Sequence, residues 1–132
     1  MGLRAPPGGT IYEDENWIAD HGMPSLVRGY VVLKPKRHVE EITGLLTPES
    51  ATFGPAYQQL VGAMNLALAP ERIYTCSFAE AVRHIHFHLV PRYADMPGIG
   101  PELLPAVFAG QWMCTEAEAT EAADQLRSAL SR

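Results

Sequence analysis

Histidines and apolar residues alternate strictly over residues 84–89, within a stretch, residues 83–92, that reads RHIHFHLVPR. Alternation with a period of two is typical of a β-strand that buries one of its faces. One face of the predicted strand is apolar and should enter a core, and it carries Ile85, Phe87 and Leu89. The opposite face carries three histidines, which are His84, His86 and His88.

Four further segments are predicted to form strands. Runs rich in β-branched and aromatic residues, or with loose alternation, favour this structure. The predicted strands are residues 10–13, 16–20, 28–34 and 72–78. Pro35 should end the third because proline has no N–H group to donate to a neighbouring strand. A short turn near residues 79–81 is predicted to join the fourth to the histidine strand as a hairpin.

The central part of the chain is predicted to form a helix. Thr47 and Pro48 are typical of the N-cap and the first helical position. Apolar residues then recur at helical spacing, which predicts one buried stripe. The stripe consists of Phe53, Tyr57, Leu60, Met64 and Ala67. Pro55 lies inside this pattern and either kinks the helix or delays its regular part.

A second helix is predicted for the tail, residues 115–130, where Thr115 and Glu118 have the spacing of a capping box. Residues 96–111 are interrupted by proline and glycine and are predicted to be a loop. This order of elements indicates an α+β fold, with an antiparallel sheet of about five strands, one central helix and a C-terminal helix. The predicted parts of the chain are a flexible lead (1–10), a domain core (11–95) and a loop and helix packed on the same domain (96–132).

Composition narrows the possible partners of this domain. The chain has 132 residues and a formal net charge of -5, which gives no support for binding to nucleic acid or to anionic membranes. Two cysteines are too few for a disulfide scaffold. No stretch is long and apolar enough to span a bilayer, and residues 1–10 lack the apolar centre of a signal peptide. We therefore expect a cytoplasmic protein.

The histidine row limits the chemistry that the protein can perform. Alternate residues on a strand lie about 6–7 Å apart at Cα, which suits three ligands of one metal ion poorly. Imidazole also acts as a nucleophile and as a general acid or base near neutral pH. Histidines around an anion suit phosphoryl or nucleotidyl transfer, where electrostatic positioning dominates. The alternatives are a solvated strand face and a metal-binding protein.

Three separate segments of the chain resemble the histidine triad family. Residues 84–90, HIHFHLV, match the motif His-φ-His-φ-His-φ-φ, in which φ is apolar, and the match extends through Pro91 and Arg92. Residues 32–39, VLKPKRHV, resemble the strand, proline, basic pair and histidine that precede the central helix of that family. Residues 11–14 resemble its first strand and turn. The resemblance therefore extends from about residue 11 to residue 92.

This resemblance implies a nucleotide hydrolase that acts on nucleoside phosphoramidates or dinucleoside polyphosphates. His86 would be the nucleophile and would form a covalent nucleotidyl-histidine intermediate that water cleaves. The backbone carbonyl near His84 would fix the tautomer of His86, His88 would contact phosphate oxygens, and His38 would support the first histidine. The family mechanism needs no metal ion and no cofactor. The resemblance also implies a homodimer.

The chain departs from the family pattern just before the triad. Residues 79–81 read Ala-Glu-Ala where the family has Gly-Gln-Ser or Gly-Gln-Thr, so the hydroxyl that assists the leaving group is missing at Ala81. Glu80 adds a negative charge there and could act as an acid or orient a water. The acid that holds the ribose hydroxyls in the family falls at Gly22, and Asp20 is the nearby candidate to replace it.

Further substrate-binding candidates each have a simpler alternative. Ile11 and Trp17 could line a base pocket or belong to an ordinary core. Arg92 could assist at the phosphate, and so could one of the basic residues Lys34, Lys36 and Arg37, which otherwise form a solvated cluster. A non-catalytic nucleotide-binding module with the same fold is the main alternative to the enzyme, and the sequence of residues 79–81 favours it.

Overall fold

The computed structural model describes residues 5–22 and 26–131, which form an antiparallel sheet and three α-helices. The strands are β1 (Thr10–Glu13), β2 (Trp17–His21), β3 (Val31–Pro35), β4 (Arg72–Cys76) and β5 (Phe87–Arg92). The helices are α1 (Thr47–Leu68), α2 (Gly100–Phe108) and α3 (Glu116–Leu130). The sheet order is β1-β2-β3-β5-β4, and every neighbouring pair is antiparallel. The predicted α+β class with five strands is therefore confirmed.

One face of the sheet packs against α1 and α3. Their apolar stripes meet the inward side chains of β2, β3 and β5 in a continuous buried cluster. Its largest members are Trp17, Leu33, Leu60, Met64, Leu89 and Leu126. Phe87 is partly buried against the same cluster. The predicted core face of the histidine strand therefore packs here through Phe87 and Leu89, whereas Ile85 is buried before the strand begins and does not belong to this cluster.

The two predicted helices form with small changes at their ends. Leu46, rather than Thr47, occupies the N-cap of α1, and its N–H donates to the Glu49 carboxylate at 2.7 Å. The helix continues through Pro55, so this proline does not delay its regular part. The capping box that begins α3 forms as predicted between Thr115 and Glu118.

The predicted loop at residues 96–111 contains a helix, so that prediction was wrong. Proline and glycine obscure the pattern, but Pro101 lies in the first turn, where a missing N–H costs little. Leu103 and Val107 lie one turn apart and are both buried. They pack on the second face of the sheet, against a cluster that includes Val32 and Val90.

The histidine strand begins later than the alternation predicts. β5 starts at Phe87, so that only His88 of the three histidines lies within the strand. The connection from β4 spans residues 77–86 and is not a tight turn. Two hydrogen bonds fix the last part of this connection. Ile85 N–H donates to the Val39 carbonyl, and the Ser77 hydroxyl donates to the His86 carbonyl.

The predicted flexible lead lies partly outside the described residues, which begin at residue 5. Where it is described, Gly8 contacts α3, and the Arg127 side chain donates to the carbonyl of Gly8. This part of the lead is therefore held against the domain. Within residues 5–22 and 26–131, no helix has both the length and the apolar character needed to cross a membrane.

Candidate active site

His84 forms hydrogen bonds through both of its ring nitrogens. Its Nδ1 accepts a hydrogen bond from Val39 N–H at 3.1 Å, and its Nε2–H donates to the Pro35 carbonyl at 2.9 Å. One nitrogen must accept and the other must donate, so the neutral Nε2–H tautomer satisfies both contacts. His84 thereby ties the histidine segment to the end of β3 and to the loop that follows it.

The ring of His86 is oriented by the chain two residues earlier. Its Nδ1 lies 2.8 Å from the carbonyl oxygen of His84. A carbonyl can only accept, so Nδ1 carries the proton and Nε2 keeps its lone pair. No described residue hydrogen-bonds to this Nε2. His86 is 7% exposed, so its ring is held in one orientation and is largely shielded from bulk water.

His88 lies in an aromatic environment on the second face of the sheet. Its Nδ1 hydrogen-bonds to the hydroxyl of Tyr30, and its ring meets that of His86 edge-on at 4.8 Å. The rings of Phe78 and Phe108 lie 5.9 and 5.8 Å from it. Burial in this environment, with a smaller contribution from His86, lowers the pKa of His88 to about 4. His88 is therefore neutral at neutral pH.

His38 joins the cluster from the outside. Its ring stacks on that of His84 with centroids 5.2 Å apart and an angle of 15° between the planes. Its Nε2 lies 3.0 Å from Glu40 Oε2, and its side chain is 69% exposed. The four predicted histidines thus lie together, with His38 against the first of them.

Asp20 shares the second sheet face with His88. The register pairs Asp20 with Val32, and Val32 with His88, so the three residues form one row across β2, β3 and β5. Side chains of directly paired residues lie on the same face. Two strand spacings separate Asp20 from His88, which is about 10 Å at Cα. Burial raises the pKa of Asp20, and the charge of Lys34 opposes this shift.

Glu80 is exposed and lines an open cleft of about 360 Å³ with Glu40, Glu41, Ala79 and Arg83. Because Glu40 also contacts His38, this cleft lies beside the histidine cluster. Ala79 has a φ of 53°, in the left-handed region that glycine adopts more easily. The family glycine expected at this position matches the backbone conformation that the alanine adopts here.

Three of the other binding candidates lie away from the histidines. Ile11 and Trp17 are buried in the cluster under α1 and α3, and the Trp17 Nε1–H donates to the Glu49 carbonyl at 2.9 Å. The structure therefore supports core packing for them rather than a base pocket. Arg92 lies four residues beyond His88 on β5, about 13 Å away at Cα, and makes no described contact with the histidines.

The basic cluster is not a free solvated group in the structure. Arg37 forms a paired contact with the Glu49 carboxylate at 2.8 and 3.0 Å, and Lys36 forms an ion pair with Glu13. The contact with Arg37, together with Leu46 N–H, holds the pKa of Glu49 below its usual range. Lys34 remains on the face that carries Asp20.

Sequence reasoning missed Tyr30, Ser77, Phe78 and Phe108, which all contact the triad. Phe108 was missed because α2 was predicted as a loop. The other three contact partners that are nine to 58 residues away in the chain, which local periodicity does not reveal. Across residues 5–22 and 26–131, no three His, Cys, Asp or Glu side chains converge closely enough to hold a metal ion.

Comparison with known proteins agrees with this geometry. The HIT domain family model matches residues 5–95. The chain belongs to the HIT domain family. A curated relative is Protein hit of Bacillus subtilis, which is 24% identical over 99 residues, or 71% of this chain and 68% of that protein. The match to the HIT family confirms the predicted resemblance to histidine triad proteins.

Solved structures of the HIT family have the same fold. A Hit-like protein of Bartonella henselae superposes with a TM-score of 0.70 at 22% identity, covering 93% of this chain and 87% of that one. A hypothetical histidine triad nucleotide-binding protein of Sulfolobus tokodaii superposes with a TM-score of 0.72 at 14% identity, covering 92% and 83%. Both alignments cover more of the chain than the 71% of the Bacillus subtilis relative.

Proposed function

We propose that the protein hydrolyses a nucleotidyl phosphate bond, in a nucleoside phosphoramidate or a dinucleoside polyphosphate, with His86 as the nucleophile. The observation that carries this proposal is the hydrogen bond from His86 Nδ1–H to the His84 carbonyl. It leaves a lone pair on Nε2 and prevents the ring from rotating away. A neutral, oriented imidazole is the form of histidine that attacks phosphorus.

The reaction would proceed in two displacements. In the first, the Nε2 lone pair bonds to the α-phosphorus while the bond to the leaving group breaks and its electron pair departs with that group. The imidazole becomes cationic, and the His84 carbonyl stabilises this charge through Nδ1–H. In the second, water bonds to the phosphorus, the bond to Nε2 breaks and the nucleoside monophosphate leaves. The water's proton passes to solvent.

The neighbours of His86 would bind the charged phosphoryl group. His84 has no free ring nitrogen, so it acts by holding the backbone that orients His86. His88 is neutral and lies against the His86 ring, where a ring N–H can donate to a phosphate oxygen. Asp20 lies about 10 Å from His88 along the same face, a spacing that suits contact with the ribose hydroxyls of a bound nucleotide.

A non-catalytic nucleotide-binding module is the second candidate. The observation in its favour is the cleft beside the histidines, which has three carboxylates, Glu40, Glu41 and Glu80, against one cation, Arg83. Ala81 also offers no hydroxyl to the leaving group. In the enzyme, the Glu80 carboxyl would have to supply the leaving group's proton or orient the water.

The test is an assay of nucleoside monophosphate release from an adenosine phosphoramidate and from a diadenosine polyphosphate, with and without a chelator. We expect turnover that the chelator leaves unchanged and that His86→Ala reduces by at least about 10³-fold. His38→Ala is the matched control, because its ring contacts His84 rather than the nucleophile, and it should lose far less. Tight nucleotide binding without turnover would favour the binding module, and loss of turnover with the chelator would favour a metal site.

We also propose that the protein is a cytoplasmic homodimer with a small nucleotide as its ligand and no nucleic acid or membrane partner. The family resemblance supports the dimer, and the net charge of -5 supports the absence of polyanionic partners. Sedimentation at micromolar concentration, with and without duplex DNA, checks the assembly and the partner prediction together.

A further inference from the structure

We infer that Tyr30 is a positioning residue that holds His88 in the Nε2–H tautomer, so that His88 presents a donor to the substrate's phosphate. The catalytic consequence of this inference rests on the proposed function, whereas the tautomer itself does not. It concerns a residue outside the histidine motif, just before β3, whose hydroxyl contacts the Nδ1 of His88. Tyr30 and His88 are 58 residues apart in the chain.

The position of Tyr30 is determined by its packing. The residue is 2% exposed and belongs to the buried cluster on the second face of the sheet, with Val32 and Val90. A Cβ added at Gly22 would lie 3.1 to 3.3 Å from the tyrosine ring, so the backbone at Gly22 lies against that ring. The ring centroids of Tyr30 and His88 are 5.5 Å apart at an angle of 63°. The hydroxyl therefore has little freedom to turn towards another partner.

The direction of this hydrogen bond follows from the available partners. The phenol stays protonated because burial raises the pKa of Tyr30. No other described residue accepts a hydrogen bond from its hydroxyl, and a buried O–H without an acceptor is unfavourable. The hydroxyl therefore donates to Nδ1, which must carry a lone pair. Because His88 is neutral, its proton lies on Nε2.

His86 and His88 consequently have opposite tautomers, although their rings are in contact. A backbone carbonyl, which can only accept, places the proton of His86 on Nδ1. A tyrosine hydroxyl, which donates here, places the proton of His88 on Nε2. The first ring offers a lone pair to the phosphorus and the second offers an N–H to a phosphate oxygen. This division of roles requires both the carbonyl of His84 and the hydroxyl of Tyr30.

Removal of the Tyr30 hydroxyl should release the tautomer of His88. The other ionisable groups near this ring are His86, whose Nδ1 is already bonded to the His84 carbonyl, and Cys76, its cross-strand partner on β4. The Cys76 thiol stays protonated at neutral pH because burial raises its pKa. The His86 Nδ1–H is already used and a thiol is only a weak hydrogen-bond donor, so neither group replaces the phenol as a donor to Nδ1 of His88. In the Nδ1–H form, a lone pair on Nε2 would face the phosphate oxygens and repel them.

The experiment compares the wild type with Tyr30→Phe by ¹⁵N NMR of the histidine side chains at pH 7, where ring-nitrogen shifts distinguish the two tautomers. Tyr57→Phe is the matched control, because it also removes one tyrosine hydroxyl, which bonds to Thr75 on the exposed surface. We expect Nε2–H for His88 in the wild type and in the control, and a mixture in Tyr30→Phe. With an active enzyme, kcat should fall about tenfold or more in Tyr30→Phe, with a smaller change in KM.

An Nδ1–H tautomer of His88 in the wild-type protein would overturn the inference, and this result needs no variant and no activity. Tyr30→Phe with an unchanged tautomer would also overturn it, and so would an altered tautomer with an unchanged kcat. Failure of the proposed function is a separate result: the wild type would then show the Nε2–H tautomer but release no nucleoside monophosphate from either substrate.

Discussion

The two faces of the sheet have different construction and different tasks. Under α1 and α3, long apolar side chains such as Leu33, Leu60 and Leu89 form one continuous buried cluster. On the other face, the short helix α2 covers only part of the sheet, and His88 lies at the margin of its apolar cluster. One face thus supplies most of the packing, while the other supplies a low-dielectric margin in which the imidazole of His88 stays neutral.

The largest effect on stability should come from the packed face. Leu60→Ala removes a fully buried side chain between α1 and the sheet and should lower the free energy of unfolding by about 3 kcal/mol. Turnover by the remaining folded protein should not change, because the histidines lie elsewhere. Urea denaturation measures the loss. Leu66→Ala, at a position that is 59% exposed on the same helix, should change stability by less than about 0.5 kcal/mol. Equal losses of stability in both variants would show that packing against the sheet contributes no more than an exposed position on the same helix.

The histidine face should make the protein sensitive to mild acid. The pKa of His88 is about 4 in the folded protein, against the ordinary histidine value of 6.5. As the pH falls from 6.5 towards 4, the unfolded chain binds a proton that the folded chain does not, so folding becomes less favourable. We expect the free energy of unfolding to fall by about 1 to 2 kcal/mol between pH 7 and pH 5. This is less than the full pKa shift implies, because the ring is partly exposed to solvent.

Urea denaturation at pH 7 and pH 5 measures this loss. Burial also lowers the pKa of His21, so the wild type loses stability from both histidines. The informative quantity is the difference between the wild type and His88→Gln. A variant that loses as much stability as the wild type would show that His88 is not the group responsible.

The smallest effect is a change in the titration of His88 itself. Phe108→Ala removes a ring that lies 5.8 Å from the imidazole and opens the site to water. Because burial is the main cause of the lowered pKa, the pKa of His88 should rise in this variant. NMR titration measures it, and Ile99→Ala, an exposed position at the start of α2, is the control. An unchanged pKa would assign the lowering to His86 instead.

The elements of the packed face were predictable from the sequence because local patterns specify them. Helical periodicity identified the buried side of α1, and a capping box identified the start of α3. The resemblance of the triad, and of the proline, basic pair and histidine before α1, to the histidine triad family identified the four histidines that the structure brings together. In each case the information lies within a few consecutive residues.

The details of the histidine face were less predictable because they depend on distant partners. The alternation at residues 84–86 continues that of the strand, but hydrogen bonds to Val39 and Ser77 hold this segment outside β5. Prolines concealed α2, and with it the contact of Phe108 with His88. The pairing of Tyr30 with His88 depends on the register of β3 against β5, which no local pattern specifies.

The central claim is that His86 carries the nucleotidyl group during turnover. The most direct measurement is rapid mixing with substrate, an alkaline quench that preserves a phosphorus–nitrogen bond, and mass spectrometry of the peptide that contains residues 84–88. We predict a nucleoside monophosphoryl adduct that maps to His86 in the wild type and is absent from His86→Ala. An adduct on His84 or His88, or undiminished turnover by His86→Ala, would contradict this account.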